Sequence, residues 1–412
     1  MMNAKMRGAL LATASASLLA ACGANDIASP GTGGNITINN PPAPAPPPPP
    51  PPSPTPTPTI TPAAACPGTL LAQGGQDAGT ITNPDTGTYR VCSLPSRITA
   101  NLALPKISGL IYQLSGRVDV GTDGGPTPSA ADTNVTLTID PGVILFGGTG
   151  VSWLAVNRGN RIQAVGTPTQ PIIFTSRSNI LGINDINSSG QWGGVVLLGR
   201  APITDCAAPG ATPGTIACER QTEGAVDPAL YGGATANDNS GRMSYVQIRY
   251  SGFVLSSNSE LQSLTPQGVG SATILDHIMS YNSSDDGVEA FGGRVHLNYF
   301  VSIGAEDDNL DTDVGTKANF QFGILVQRAG VGDAMVEADS DNSADGDNPR
   351  QNTLVSNFTH LQRSIGNSNQ ASILLRGGTD YTLANTVLDS TGNPMYPDQP
   401  DANCIDHAEC SD

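Results

Sequence analysis

SSDDGVEAFGG (Ser283–Gly293) and AEDDNLDTDVG (Ala305–Gly315) align without a gap at an offset of 22 residues. Asp285 meets Asp307, Asp286 meets Asp308, Val288 meets Leu310, Glu289 meets Asp311 and Gly293 meets Gly315. A weaker third copy, AMVEADSDN (Ala334–Asn342), follows at an offset of 26 and sets Val336, Glu337 and Asp339 beneath Leu310, Asp311 and Asp313. A unit this short cannot bury its own apolar face, so successive copies must stack and cover one another. A leucine-rich repeat has a similar period, but its L-x-x-L-x-L-x-x-N signature is missing, and propeller blades are longer. The period suits one coil of a parallel β-helix, with three short strands and their turns.

Short β-rich runs recur between Gly, Asn, Asp and Pro. They are Val135–Ile139, Val143–Phe146, Pro171–Thr175, Gly194–Leu198, Tyr245–Tyr250, Thr273–Tyr281, His296–Ile303, Phe320–Val326, Leu354–Leu361 and Thr382–Leu388. Many alternate apolar and polar residues in period two. No helical period is visible beyond the N-terminus. The chain has 48 glycines and only 19 Lys+Arg, which also favours strands and loops. The expected fold is all-β, a parallel β-helix solenoid over 106–412, with an Ala-, Pro-, Gly- and Thr-rich insertion at 201–240 and an N-terminal cap at 63–105.

Residues 276–347 hold fifteen acids and three bases (Arg294, Lys317 and Arg328), most of the chain's net charge of −17. In the register above, Glu289, Asp311 and Glu337 form one column; Asp313 and Asp339 form a second, with Phe291 on its first rung. Rungs about 4.8 Å apart place carboxylates close enough to repel by several kcal/mol at an effective dielectric near 20. They coexist if solvated, protonated or bridged by a cation. Calcium takes six to eight oxygens, which such a ladder supplies. DNSADGDNPRQN (Asp341–Asn352) puts Asp341, Ser343 and Asp345 at calcium-loop positions 1, 3 and 5, although position 12 is Asn352 rather than Glu. The candidate calcium ligands are therefore Glu289, Asp311, Asp313, Glu337, Asp339, Asp341 and Asp345; solvated acidic turns are the plainer alternative.

A catalytic reading uses Asp285, Asp286, Glu289, Asp308 and Asp311, because glycan hydrolysis needs one carboxylic acid and one carboxylate. The Asp285-Asp286 pair is reminiscent of polygalacturonase-like glycosidases, but no His-Gly or Arg-x-Lys companion follows. A lyase needs a base, for which Lys317, Arg294 and Arg328 are the nearby candidates. His277, His296, His360 and His407 are scattered and expected to be packed or rim side chains. Trp153, Trp192, Tyr231, Tyr245 and Tyr250 could stack on sugar, but core or rim packing is expected of them.

The N-terminus has Lys5 and Arg7, an apolar run from Ala9 to Leu19, and then Ala20-Ala21-Cys22. That order is a secretory signal, residues 1–21. A cysteine after L-A-A resembles the lipobox of bacterial lipoproteins and implies lipidation of Cys22. Gly23 rather than aspartate favours the outer membrane on the usual sorting rule. Residues 22–62 are a Pro-rich tether that cannot form a core; its run from Pro41 to Pro58 would span roughly 55 Å as polyproline II. Cys22 aside, six cysteines form three local pairs: Cys66/Cys92, Cys206/Cys218 and Cys404/Cys410. Fifteen pairings are possible; export to an oxidising compartment and proximity favour the local ones. The net charge excludes nucleic acid as a partner.

LAVNRGNRIQAVGTPTQPIIFTSR (Leu154–Arg177), GQWGGVVLLGRAPI (Gly190–Ile203), SGRMSYVQIRYSGF (Ser240–Phe253) and the two acidic repeats together resemble a bacterial family of outer-membrane lipoproteins, known from leptospiral and other Gram-negative members. The resemblance covers about residues 100–410. It implies a right-handed parallel β-helix and a lipid-anchored place in the outer membrane. Some members accompany TonB-dependent transporters. The expected function is a non-catalytic surface or envelope binding module, with such a transporter or an envelope glycan as partner and calcium as the candidate cofactor. The alternatives are a polysaccharide lyase or glycoside hydrolase using the acidic ladder, and an adhesin or structural surface protein.

Overall fold

A computed structural model describes residues 60–389 apart from 149, 257–258, 341–345, 347 and 364–371. The signal peptide, Cys22, almost all of the tether, Cys404, Cys410, His407, Asp341 and Asp345 lie outside the described residues. The described strands wind as a parallel β-helix. One long sheet of fifteen strands and one short sheet of nine run along it. The short sheet takes one strand per coil: Arg97–Ile98, Arg117–Val120, Trp153–Val156, Val195–Leu198, Leu264–Gln267, Glu289–Phe291, Asp311–Asp313, Val336–Ala338 and Ile373–Leu375.

Gln76–Asn83 pairs antiparallel with Gly87–Ser93 and closes the N-terminal edge of the long sheet. Beyond that pair the two sheets are parallel, so Gly87–Ser93, Arg97–Ile98 and Leu102–Leu104 already form rungs within 63–105. Two short helices interrupt the described strands, Gly68–Ala72 and Arg177–Ile180. No periodicity could announce helices of one turn. The second rests on a local cap, the Ser176 hydroxyl accepting from the Asn179 N–H.

In the early coils the long sheet takes two strands per turn: Leu102–Leu104 with Leu110–Leu114, Thr136–Ile139 with Ile144–Gly147, and Arg161–Val165 with Ile172–Ser176. Later the two merge into single strands: Gly241–Arg249, Ile274–Tyr281, Arg294–Ile303, Lys317–Val326 and Asn352–Leu361. Each bends at one residue with left-handed backbone: Tyr245 (φ 51°), His277 (52°), Tyr299 (57°), Phe322 (61°) and Asn357 (59°). The bend resets the strand's alternation. Inward residues on its two sides are three apart, as Met243/Val246, Leu275/Ile278, Leu297/Phe300, Phe320/Gly323 and Val355/Phe358, all buried.

Left-handed backbone suits Gly and Asn, and a bulky residue held there costs about 1–3 kcal/mol. The Tyr245, His277, Tyr299 and Phe322 rings stack on one another with centroids 4.0, 4.4 and 5.1 Å apart. A stacked aromatic pair returns about 0.5–1.5 kcal/mol. Three stacks therefore leave part of the cost of four strained residues unmet.

The main core is an apolar stack along the helix, with two smaller buried clusters beside it. Trp153, Trp192, Tyr231 and Tyr250 are buried rather than presented to solvent. One core column runs Ile172, Val246, Ile278, Phe300, Gly323, Phe358 through paired strands.

Two of the local cysteine pairs are bonded, Cys66–Cys92 and Cys206–Cys218. The first closes a loop of 26 residues between the N-terminal helix and the first parallel rung. Replacing both Cys66 and Cys92 by Ala is expected to cost roughly 3–4 kcal/mol in urea unfolding; a change under about 1 kcal/mol would show that the bridge constrains little. The second staples the insertion, whose Arg220–Gln221 and Leu230–Tyr231 pair as a small antiparallel hairpin. Arg158, buried, forms 2.6 Å ion pairs to Asp123 and to Glu219, the second of which ties that insertion down. No helix among the described residues is long and apolar enough to cross a membrane.

Candidate functional site

The acidic repeats take neighbouring rungs of the short sheet. Glu289 pairs in register with Asp311, Asp311 with Glu337, and Phe291 with Asp313. Ala290, Thr312 and Ala338 point into the core, so strand alternation turns the flanking carboxylates outward. Asp285 and Asp286, like Asp307 and Asp308, occupy the turn before each strand. Asp286 Oδ1 accepts from the Asp308 N–H at 2.8 Å, and Asp308 Oδ1 from the Ala334 N–H at 2.6 Å. These two aspartates thus join coil to coil, a structural duty that spacing alone did not reveal.

Two groups of three carboxylates follow. Asp285, Asp286 and Glu289 each bring an oxygen within 4.8 Å of the others, and so do Glu289, Asp311 and Asp313. Burial, then the charge of nearby carboxylates, raises Asp286, Glu289 and Asp308 well above the ordinary carboxylate range. Burial, then Asp313, does the same to Asp311. Burial, then the charges of Asp307 and Glu260, pushes Asp285 up to about 7, although Gln262 donates to its Oδ2 at 3.0 Å.

Glu337 and Asp339 stand differently. Arg376, on the next coil, forms an ion pair with Glu337, and its Nε lies 3.5 Å from Asp339 Oδ2. A guanidinium already neutralises that end of the ladder. The sequence window that counted three bases stopped before reaching it.

The candidate lyase bases lie elsewhere. Arg294 and Lys317 are neighbours on the long sheet and line a cavity of about 310 Å³ with His296. Arg328 pairs with Glu306 at 2.5 Å. His360 is buried without a hydrogen-bond partner, and burial pushes its pKa down to about 4. It is a packed side chain, as is half-buried His296.

The insertion roofs part of the acidic face. The Thr222 hydroxyl donates to Gln267 Oε1 at 2.6 Å, and the Tyr231 ring sits 6.4 Å from that of Phe291. Between roof and sheet lies a cavity of about 200 Å³ lined by Asp205, Arg220, Glu223 and Tyr231 on one side and Gln267, Phe291 and Asp313 on the other. Crowded carboxylates beside a roofed cavity can bind a hard cation or exchange a proton with a ligand.

A family model described as a pectate-lyase-like β-helix domain matches residues 126–407. No curated protein and no solved structure matches the chain.

Proposed function

We infer the function of a chain that belongs to the pectate-lyase-like β-helix domain family as follows. It is an exported module, anchored to the outer membrane by lipid on Cys22, that holds calcium on its short-sheet face. Through the cation it takes an anionic envelope ligand, a glycan or a surface of a TonB-dependent transporter, without cleaving it. What supports this is the crowding of Asp285, Asp286, Glu289, Asp311 and Asp313, in two groups of three whose carboxylate oxygens lie within 4.8 Å of one another. Five carboxylates offer enough oxygens for the six to eight that calcium takes. Carboxylates must lose their protons to ligate, so loading expels the protons that burial retains. Glu289 belongs to both groups and is the ligand that the site can least spare.

Equilibrium dialysis of the full chain tests the cation. Glu289→Gln is expected to weaken calcium binding at least tenfold, and Glu337→Gln, whose partner is Arg376, to leave it unchanged. Wild-type protein that binds no calcium at millimolar concentration would sink the proposal.

A second reading, cleavage of an acidic polysaccharide on the same face, draws on the family match and on Asp285. A carboxyl group with pKa about 7 beside other carboxylates suits a general acid. This reading requires that Asp285→Asn abolish a measurable turnover, and it fails if wild-type protein cleaves nothing on a panel of acidic glycans.

A further inference from the structure

The outward face of the short sheet changes character along the helix. Leu198, Gln267, Phe291 and Asp313 pair in register, rung after rung. At the early rungs Ala155, Val196 and Leu198 join Cys218, Ala229 and Tyr231 of the insertion in one buried apolar cluster. At the later rungs the face is acidic. Phe291 stands at the boundary, packed on the edge of that cluster and one rung before Asp313.

The roofed cavity of about 200 Å³ lies at this boundary. Sites for drug-sized ligands run from roughly 300 to 1,000 Å³, so its occupant is smaller. Roof and sheet each contribute one ring to it. The Tyr231 and Phe291 rings, 6.4 Å apart and tilted by 52°, form a corner. Tyr231 is 3% exposed, and among the described residues its hydroxyl has no hydrogen-bond partner. A buried hydroxyl left in that state is costly, and this one lines a space where a ligand oxygen can meet it. Roof and sheet each contribute acid as well, Asp205 and Glu223 from the first and Asp313 from the second. The one base of the lining, Arg220, is in an ion pair with Asp205 at 3.2 Å.

This lining selects a class of ligand. An anion would meet three acids and a guanidinium that is already paired. A metal ion would face two rings where it needs oxygens. A primary ammonium ion is compact and strongly hydrated, and the rings cannot replace its water. A methylated ammonium ion spreads its charge over apolar methyl groups. Such heads pack on aromatic faces within about 6 Å of the ring centroid, and nearby carboxylates add to the attraction.

We propose that this cavity binds a small methylated ammonium ion of the choline class, its head in the corner of the Tyr231 and Phe291 rings beside Asp313 and its oxygen at the Tyr231 hydroxyl. The site needs no calcium. Asp313 also belongs to one of the calcium groups, so chelation keeps the two readings apart.

Calorimetric titration of the full chain in EGTA with choline and with its neutral carbon isostere, 3,3-dimethylbutan-1-ol, tests this. Choline is expected to bind. The isostere fills the same volume without the charge and is expected to bind at least tenfold more weakly. Phe291→Leu keeps an apolar side chain and removes the ring. It is expected to weaken choline binding about tenfold while leaving the thermal midpoint unchanged. Asp313→Asn is expected to weaken it as well. Glycerophosphocholine separates two sources of the same head: affinity equal to that for choline assigns the head of a lipid, and lower affinity a free cation. No binding at millimolar choline overturns the proposal. So does equal affinity for the neutral isostere, or undiminished affinity for choline in Phe291→Leu.

Discussion

With calcium removed by EGTA, the thermal midpoint of the protein is expected to fall as pH rises from 6.5 to 8.5. Asp285 has a folded pKa of about 7, above its unfolded value near 3.9. A carboxyl group raised in this way contributes stability that is fully present below the unfolded pKa and lost as pH climbs through the folded one. For Asp285 the total is about 4 kcal/mol, most of it already lost by pH 6.5, so that about 1 kcal/mol remains to be lost as pH rises through 7. Asp286, Glu289, Asp308 and Asp311 are raised in the same sense and add to the loss.

His360 acts in the opposite sense and sets the lower limit of the window. Its folded pKa is about 4, below the unfolded value near 6.5, so its contribution is complete above pH 6.5 and lost as pH falls toward 4. Below pH 6.5 the two effects oppose each other. Asp132 and Asp276, whose pKa values are lowered, titrate in more acid solution. Above pH 6.5 the carboxylates act against no such histidine.

Calcium at 100 times its Kd should add about 2.7 kcal/mol. At roughly 2 °C per kcal/mol for a domain of this size, the midpoint at pH 8.5 rises by about 5 °C and the slope flattens. A midpoint that holds level in EGTA from pH 6.5 to 8.5 would mean that these acids are solvated and ordinary.

The second large effect sits in the core. Gly323 lies between Phe300 and Phe358 in its column, and a Cβ built on it would come within 2.2 Å of the Phe358 ring. The missing side chain is the space that Phe358 fills. Gly323→Val is expected to destabilise the protein by at least about 3 kcal/mol in urea unfolding, the upper end for overpacking. Phe358→Ala alone leaves a cavity and costs about 3–5 kcal/mol. Because each change relieves the other, the double variant should be more stable than the sum by about 2 kcal/mol. Strict additivity would show that the two positions do not share this space.

The gapless repeat made the acidic register legible. Asp285/Asp307 and Glu289/Asp311 repeat at one offset because parallel rungs repeat side chains at fixed height. Two of the three local cysteine pairs were legible as well, Cys66–Cys92 and Cys206–Cys218, because cysteines near in sequence close the shortest loops. Arg376 was not, because it reaches Glu337 and Asp339 from beyond the repeat, on the following coil. The aromatic ladder was also hidden. Tyr245, His277, Tyr299 and Phe322 read as ordinary strand residues, since a residue type carries no mark of its φ. A trace existed in the spacing: Leu297/Phe300 and Val355/Phe358 are buried three apart, which an unbroken strand does not allow. The duty of Asp286 and Asp308 toward backbone N–H groups needed the turn geometry, which spacing does not give.

Calcium loading of the acidic face is tested most directly by counting protons. Full-length protein is titrated with calcium at pH 7.5 in two buffers of different ionisation enthalpy, and the difference in heat gives the protons released. The expected result is saturable binding that expels at least one proton, with both affinity and release reduced in Asp311→Asn. Binding without proton release, or no binding at millimolar calcium, would contradict it.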